Sequence, residues 1–198
     1  PSARIRCWVH EFAGTPAFMD ALEALLQEEG EEPDIVVCAF GPLLTGRLED
    51  MTAAAWSLLA DANLALPGAL ASRCMAAWKA RNFGRLLLFG GTRTDSIRPF
   101  RNTAAYAAAK IGLGVLTRSV AIEGAPADIA AITVCPGPVR TEYLTETDAV
   151  KWARLAAGGR LLEPEEVASA ALDLLDESPC RASGAIIAMD GPGHIAPV

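Results

Sequence analysis

The 198-residue chain has little of what metal sites and disulfide frameworks require. It contains only two histidines, His10 and His194, and its five cysteines form neither a Cys-x-x-Cys pair nor a cluster with histidine. A structural zinc site is therefore not expected. Cys38 and Cys135 stand inside apolar runs, where a free thiol behaves as a small hydrophobic side chain. Free thiols of this kind indicate a reducing, cytoplasmic compartment.

An excess of positive charge and long hydrophobic runs are also missing. The chain has 17 Lys and Arg residues against 24 Asp and Glu residues, a net charge of −7, and no basic patch that could neutralise phosphates. A nucleic-acid partner is therefore not expected. No run of about 18 uninterrupted apolar residues occurs, so we also expect no membrane span.

The remaining composition is that of a globular protein. Hydrophobic residues make up 52% of the chain and charged residues 21%, which provides enough apolar side chains for a sizeable core. The length fits one domain, which we expect to extend over residues 1–198.

Strand and helix patterns alternate along the sequence. Compact apolar runs predict five strands, at residues 5–9, 34–40, 85–89, 129–135 and 184–189. Helical periodicity predicts four helices, at residues 16–29, 52–81 with a kink near Pro67-Gly68, 103–124 and 164–176. This alternation predicts an α/β fold, a Rossmann-like doubly wound parallel sheet with helices on both faces. We expect the run 34–40 to be buried on both faces and ligands to bind beyond the carboxyl ends of the strands.

Tyr106 and Lys110 are four residues apart in the third predicted helix, so both side chains lie on one face. A free phenol titrates near ~10, too high for ready proton exchange at neutral pH. A neighbouring ammonium favours the phenolate, so we expect Lys110 to lower the pKa of Tyr106. The pair can then act as a general acid/base. The alternative is an alanine-rich helix with two incidental polar residues.

In its sequence context, this pair resembles the active-site helix of the short-chain dehydrogenase/reductase family, which carries a Tyr-x-x-x-Lys motif. Further similarities follow the order of that family and cover nearly the whole chain from Ile5 onwards. They are a helix asparagine (Asn63), a Pro-Gly loop with its following threonine (Pro136-Gly137-Pro138-Val139-Arg140-Thr141), a late helix segment (Glu165-Glu166-Val167-Ala168) and a closing strand with an Asp-Gly ending (residues 184–191).

The resemblance implies an NAD- or NADP-dependent oxidoreductase that reduces a carbonyl or oxidises an alcohol by hydride transfer. Tyr106 would be the general acid/base, Lys110 would lower its pKa, and Asn63 would fix a relay water. The residues implied to lie against the cofactor are Tyr106, Lys110, Pro136, Gly137, Val139 and Thr141, with Ala39 and Gly41 towards the adenine. The resemblance also implies a small-molecule carbonyl or alcohol substrate and a homodimer or homotetramer.

The first departure from the family pattern concerns the catalytic serine. Gly91 occupies that position, so a nearby threonine would have to supply the hydroxyl that orients the substrate. Thr92 is adjacent, and Thr94 follows in the same loop. The alternative is that both threonines only cap the loop.

The second departure is a missing Gly-rich turn, which in the family binds the dinucleotide pyrophosphate at a helix N-terminus. Neither G-x-x-x-G-x-G nor G-x-G-x-x-G occurs in the chain. Either upstream residues supply this βαβ unit, which we favour, or the strand at 5–9 pairs directly with that at 34–40. The departures leave a second hypothesis, a non-catalytic scaffold or binding protein of the same fold that cannot bind dinucleotide in this form. An α/β-hydrolase is not expected, since no G-x-S-x-G elbow is present.

Overall fold

A computed structural model describes residues 7–142, 144–156, 158–176 and 178–190. The strands are β1 (Ile35–Cys38), β2 (Gly84–Phe89), β3 (Ile129–Pro136) and β4 (Ile186–Met189). The helices are α1 (Thr15–Glu29), α2 (Ala53–Ala60), α3 (Leu66–Arg81), α4 (Ala104–Gly124), α5 (Glu146–Leu155) and α6 (Pro164–Leu175). Short 3-10 turns at Leu48–Asp50 and Ala125–Ala127 and a π-helical turn at Asp61–Ala65 complete the elements.

The four strands form one parallel sheet in the order β1-β2-β3-β4. One hydrophobic cluster packs α3 and α4 on one face of the sheet and includes Trp78, Leu86 and Leu113. A second cluster packs α6 on the other face through Leu87 and Leu175. The predicted α/β fold, a Rossmann-like parallel sheet with helices on both faces, is confirmed.

The expectation that the run 34–40 is buried on both faces is wrong. Only Ile35–Cys38 forms a strand, and the side chains of Ile35 and Val37 are each 50% exposed. The cause is the position of β1 at the edge of the sheet, since α6 packs on β2 and β3 instead.

The strand predicted at residues 5–9 lies partly outside the described residues, which begin at Cys7. Cys7–Val9 is not in a strand, and β1 pairs only with β2 among the described strands. Direct pairing between this segment and β1 is therefore not seen in the described part of the chain. Phe12, just after this segment, approaches the end of β1, with its ring 5.3 Å from that of Phe40.

The kink predicted near Pro67-Gly68 takes the form of a π-helical turn at Asp61–Ala65, just before α3. Proline has no N–H to donate, and its ring crowds the carbonyl four residues earlier, which here belongs to Asn63. The wider turn accommodates that carbonyl. Such turns occur frequently at functional sites, and this one contains a buried candidate residue, Asn63.

Helix α4 is a core helix, although it is long and apolar enough to cross a membrane by length and composition alone. Within the helical span Ala104–Ala127, an 18-residue window has a mean hydropathy of 1.2, and 44% of that window is buried. The helix packs against β3 and α2, which accounts for its apolar character.

Candidate functional site

The candidate site lies where α4 passes the carboxyl ends of β2 and β3. The first turns of α4 are rich in alanine, and Ala105, Ala107 and Ala109 are buried. Small side chains at these positions let the helix approach the sheet closely. Tyr106 and Lys110 are held at that end of the sheet, and Lys110 is only 5% exposed.

Lys110 is positioned by a hydrogen bond from its Nζ to the carbonyl oxygen of Phe89, at 2.7 Å. Phe89 is the last residue of β2, so the ammonium is tied to the carboxyl edge of the sheet. The same Nζ lies 5.8 Å from the centre of the Tyr106 ring. Burial lowers the pKa of Lys110 to about 8, although the nearby Cys38 and Cys135 have the smaller, opposite effect of raising it.

The expectation that the pKa of Tyr106 is lowered is wrong for this structure, in which that pKa is raised. Burial raises the pKa of Tyr106 to about 12, and Cys135 contributes in the same direction. The phenol is therefore protonated at neutral pH, which suits a proton donor.

Asn63 is completely buried beside Lys110. Its Nδ2 donates to the carbonyl oxygen of Pro42 at 3.1 Å, whereas its buried Oδ1 has no hydrogen-bond partner among the described residues. A Cβ at Gly41 would clash with this Oδ1 and lie 3.1 Å from Lys110 Nζ. The structure therefore brings Gly41, Asn63 and Lys110 together, and the free Oδ1 can bind a water or a ligand donor.

Gly91 faces the Tyr106 hydroxyl, because a Cβ at this position would lie 2.7 Å from Tyr106 Oη. The hydroxyl of Thr94 is already used, since it accepts from the Gly91 N–H at 2.8 Å and bonds to the Gly91 carbonyl at 2.9 Å. Thr92 is exposed and lines the same cavity as Tyr106. Of the two threonines, Thr94 stabilises the turn through its hydrogen bonds to Gly91, and Thr92 lines the cavity that contains Tyr106.

This cavity has a volume of about 520 Å³. Its apolar walls include Phe100, Trp152 and the predicted loop residue Val139. Sequence reasoning missed three arginines that also line it, Arg93, Arg98 and Arg101. A signal was present, since these three cations occur within nine residues in the loop that precedes the tyrosine helix.

The remaining predicted site residues are distributed unevenly. Pro136 is the last residue of β3. The Gly137 N–H donates to the carbonyl oxygen of Met189 at 3.0 Å. A Cβ added at Gly137 would lie 2.6 Å from the Cβ of Asp190, so the loop passes close to the end of β4. Thr141 is exposed and does not line the cavity described above.

Ala39 lies in a second cavity, of about 370 Å³, at the end of β1. Its walls carry aromatic rings, with His10, Phe12, Phe18 and Phe40 among them. A largely apolar cleft with aromatic walls suits a planar aromatic group. The structure therefore separates Ala39 from the Tyr106 cavity and places it beside an aromatic cleft.

Comparisons with known proteins identify the family. A family model described as enoyl-(acyl carrier protein) reductase matches residues 13–193. The chain belongs to the short-chain dehydrogenase/reductase family. It is 25% identical over 191 residues to the D-beta-hydroxybutyrate dehydrogenase of Rhizobium meliloti (strain 1021), covering 89% of this chain and 73% of the relative.

Solved structures of short-chain dehydrogenases/reductases agree with this assignment. A structure described as a short chain dehydrogenase/reductase family protein is 26% identical, with a TM-score of 0.76, covering 90% of this chain and 74% of that one. A 4-hydroxyisoleucine dehydrogenase complexed with NADH has a TM-score of 0.82 at 20% identity, covering 92% of this chain and 76% of that one, a likeness of fold. Among other curated dehydrogenases and reductases the chain spans 36% to 67% of the relative's length.

Short-chain dehydrogenases/reductases are oxidoreductases that use NAD(P), and the chain is an oxidoreductase by family. The residues fit the nicotinamide end of such a cofactor, because an unpaired buried oxygen on Asn63 and the Lys110 ammonium lie together near Tyr106. The aromatic cleft at Ala39 fits the adenine end. The pyrophosphate has no counterpart in the chain, since no Gly-rich turn occurs in it.

The pKa of Lys110 leads to a prediction for the pH dependence of carbonyl reduction. We expect the charged form to be the active one, so that kcat/KM is level below pH ~8 and falls as the pH rises through the Lys110 pKa of about 8. Loss of this charge removes the ammonium nearest the Tyr106 ring, so we expect a fall of at least about tenfold. Lys110→Met is expected to be slow and to lack this fall. Lys79→Met, at an exposed lysine paired with Glu123, keeps the wild-type profile. A wild-type profile that stays level to pH ~10 would contradict the assignment.

Proposed function

We propose that the protein is an NAD(P)-dependent oxidoreductase that interconverts a small-molecule carbonyl and its alcohol, with Tyr106 as general acid/base. The observation that carries the proposal is the convergence of Tyr106, Lys110 and Asn63 at the carboxyl edge of the sheet. These residues come from two different elements, α4 and the π-helical turn before α3. An incidental pair on an alanine-rich helix would not explain the unpaired buried oxygen of Asn63.

Tyr106 donates its hydroxyl proton to the carbonyl oxygen of the substrate during reduction. A nicotinamide cofactor supplies the hydride that completes the reduction. The phenolate left on Tyr106 is stabilised by the Lys110 ammonium, which lies 5.8 Å from the ring. Asn63 Oδ1 holds a water from which the phenolate is reprotonated. Thr92, on the cavity wall, orients the substrate carbonyl towards Tyr106.

The cofactor is proposed to lie across the carboxyl edge of the sheet. Lys110, with N–H donors beyond the one given to Phe89, would bind the ribose hydroxyls. The loop Pro136–Val139, which follows β3, would lie against the nicotinamide. The NADH in the structure of 4-hydroxyisoleucine dehydrogenase supports the class of cofactor.

Titration with NADH and with NADPH, followed by cofactor fluorescence, tests the proposed function. We expect saturable binding of at least one of them by this chain, and oxidation of the bound cofactor when a small ketone is added. Absence of binding for both would contradict the proposal and favour the non-catalytic scaffold. Binding without turnover across a panel of ketones and alcohols would also favour a binding protein.

We also propose that the chain forms a homodimer or homotetramer in the cytoplasm. The support for assembly is a set of exposed apolar side chains on α2 and α4, with Val115 72% exposed and Ile122 77% exposed. Apolar side chains that stand together on helix faces favour association between copies. Light scattering at micromolar concentration is expected to give the mass of two or four chains, and a monomer mass would contradict the proposal.

A further inference from the structure

The cavity beside Tyr106 is cationic in a chain that is acidic as a whole. Its lining includes Arg93, Arg98 and Arg101 and, among the described residues, no Asp or Glu. The net charge of the chain is −7, so the positive charge of this cavity is a local feature and does not reflect the chain as a whole. Cations gathered in a concave site raise the local concentration of anionic ligands.

Two of the three charges are uncompensated. Arg98 lies 3.7 Å from the carboxylate of Asp95 and also bonds to the hydroxyl of Ser96. Arg93 and Arg101 have no ion pair and no side-chain hydrogen bond with any of the residues that the structure describes. Both guanidinium groups are therefore available to a ligand in the cavity.

Arg93 is held next to the reacting end of the cavity by a constrained turn. Its φ is 64°, in the left-handed region that residues with a side chain rarely adopt. Thr94 maintains the turn, because its hydroxyl bonds to both the N–H and the carbonyl of Gly91. Gly91 in turn contacts Tyr106 closely enough that a Cβ would lie 2.7 Å from the phenol oxygen. Unusual backbone of this kind concentrates at functional sites.

We propose that the substrate is a small oxo acid or hydroxy acid whose carboxylate binds Arg93 and Arg101. This inference rests on the proposed function and adds the chemical class of the substrate to it. The guanidinium group matches a carboxylate with two parallel N–H donors, and it keeps its charge at every relevant pH. The apolar body of the acid lies against Phe100, Val139 and Trp152, and its carbonyl faces Tyr106. A cavity of about 520 Å³ has room for such a molecule.

The test compares levulinate, which is a keto acid, with its neutral methyl ester and with acetoacetyl-CoA, in which phosphates supply the negative charge. For the wild type we expect kcat/KM to be roughly 10–100-fold higher for levulinate than for the ester, as charge-assisted hydrogen bonds allow. Arg93→Asn combined with Arg101→Gln removes this preference, because it lowers kcat/KM for levulinate, mainly through KM, far more than for the ester. Asparagine at position 93 tolerates the left-handed backbone, so the turn is preserved. Arg118→Gln, at an exposed arginine that lines a different cavity, is the matched control.

Three results would overturn the inference. They are equal kcat/KM for levulinate and its ester in the wild type, an equal loss for both in the double variant, and a preference for acetoacetyl-CoA that depends on the two arginines.

Binding of levulinate without cofactor separates this inference from the proposed function. Trp152 lines the cavity, so its fluorescence is expected to change on binding, and Trp152→Phe removes that change. Binding of levulinate that depends on the two arginines, without turnover of any ketone, would support the carboxylate site and contradict the proposed function. Turnover of neutral ketones without binding of levulinate would support the proposed function and contradict the carboxylate site.

Discussion

Replacing Tyr106 with Phe is expected to lower kcat for carbonyl reduction by at least ~10³-fold. The hydroxyl is the only group on this side chain that can donate a proton, and a buried phenol with a pKa of about 12 holds that proton at neutral pH. Tyr106 makes no side-chain hydrogen bond with the described residues, so its removal leaves no buried partner unsatisfied. Stability and the affinity for NADH or NADPH are therefore expected to stay near the wild-type values.

The controls for Tyr106→Phe are thermal unfolding and cofactor titration of the same sample. An unchanged Tm and an unchanged Kd assign the lost rate to the missing proton donor. Retention of kcat within about tenfold of the wild type, with both controls unchanged, would contradict the role of Tyr106.

Replacing Trp78 with Ala is expected to lower the free energy of unfolding by about 3–5 kcal/mol, a large part of the stability of a domain of this size. The indole is fully buried in the cluster between α3 and the sheet. Its Nε1 donates to the carbonyl oxygen of Pro33 at 2.8 Å, and its ring fills the space that a side chain at Gly84 would need. The deletion therefore leaves a cavity and removes one of the two hydrogen bonds to the Pro33 carbonyl, the other coming from Arg81.

Urea denaturation followed by circular dichroism measures this loss. Trp152→Ala is the matched control for stability, because that indole is 41% exposed and most of its removal exposes no core. We expect the control to lose no more than ~1 kcal/mol. Similar losses for the two variants would contradict the placement of Trp78 at the centre of the core.

The sequence predicted most of the sheet and its main helices because buried parallel strands are compact apolar runs bounded by breakers. Residues 85–89 and 129–135 were predicted within one residue of β2 and β3. The burial of β1 was not predictable in the same way, because an apolar run does not show which strand lies at the edge. The π-helical turn depends on how the chain accommodates Pro67. The local sequence pattern predicts a kink near this proline but does not show its form.

Helix α5 was missed although its start had a recognisable signal. Thr145 caps it by accepting from the Asp148 N–H at 3.1 Å, and a threonine followed three residues later by an acid is a familiar helix start. No helix was predicted between the strand at 129–135 and the helix at 164–176.

Candidate residues of the site were predictable from spacing and family motif, whereas their electrostatics were not. Four residues on a helix place Tyr106 and Lys110 on one face, and the structure agrees. The direction of the Tyr106 pKa shift depends on how deeply the phenol is buried, and burial is the largest cause of the raised pKa here. The arginines of the cavity lie in an irregular loop, where one-dimensional periodicity carries no information about which side chains converge.

Transfer of deuterium from NADH or NADPH labelled at the reactive nicotinamide carbon tests the central claim most directly. The wild-type chain is incubated with the labelled cofactor and a small ketone, and the alcohol product is examined by mass spectrometry and NMR. The account predicts one deuterium on the carbinol carbon of the product from the wild type and no detectable product from Tyr106→Phe over the same time. Unlabelled alcohol from the wild type, or labelled alcohol formed equally fast by Tyr106→Phe, would contradict it.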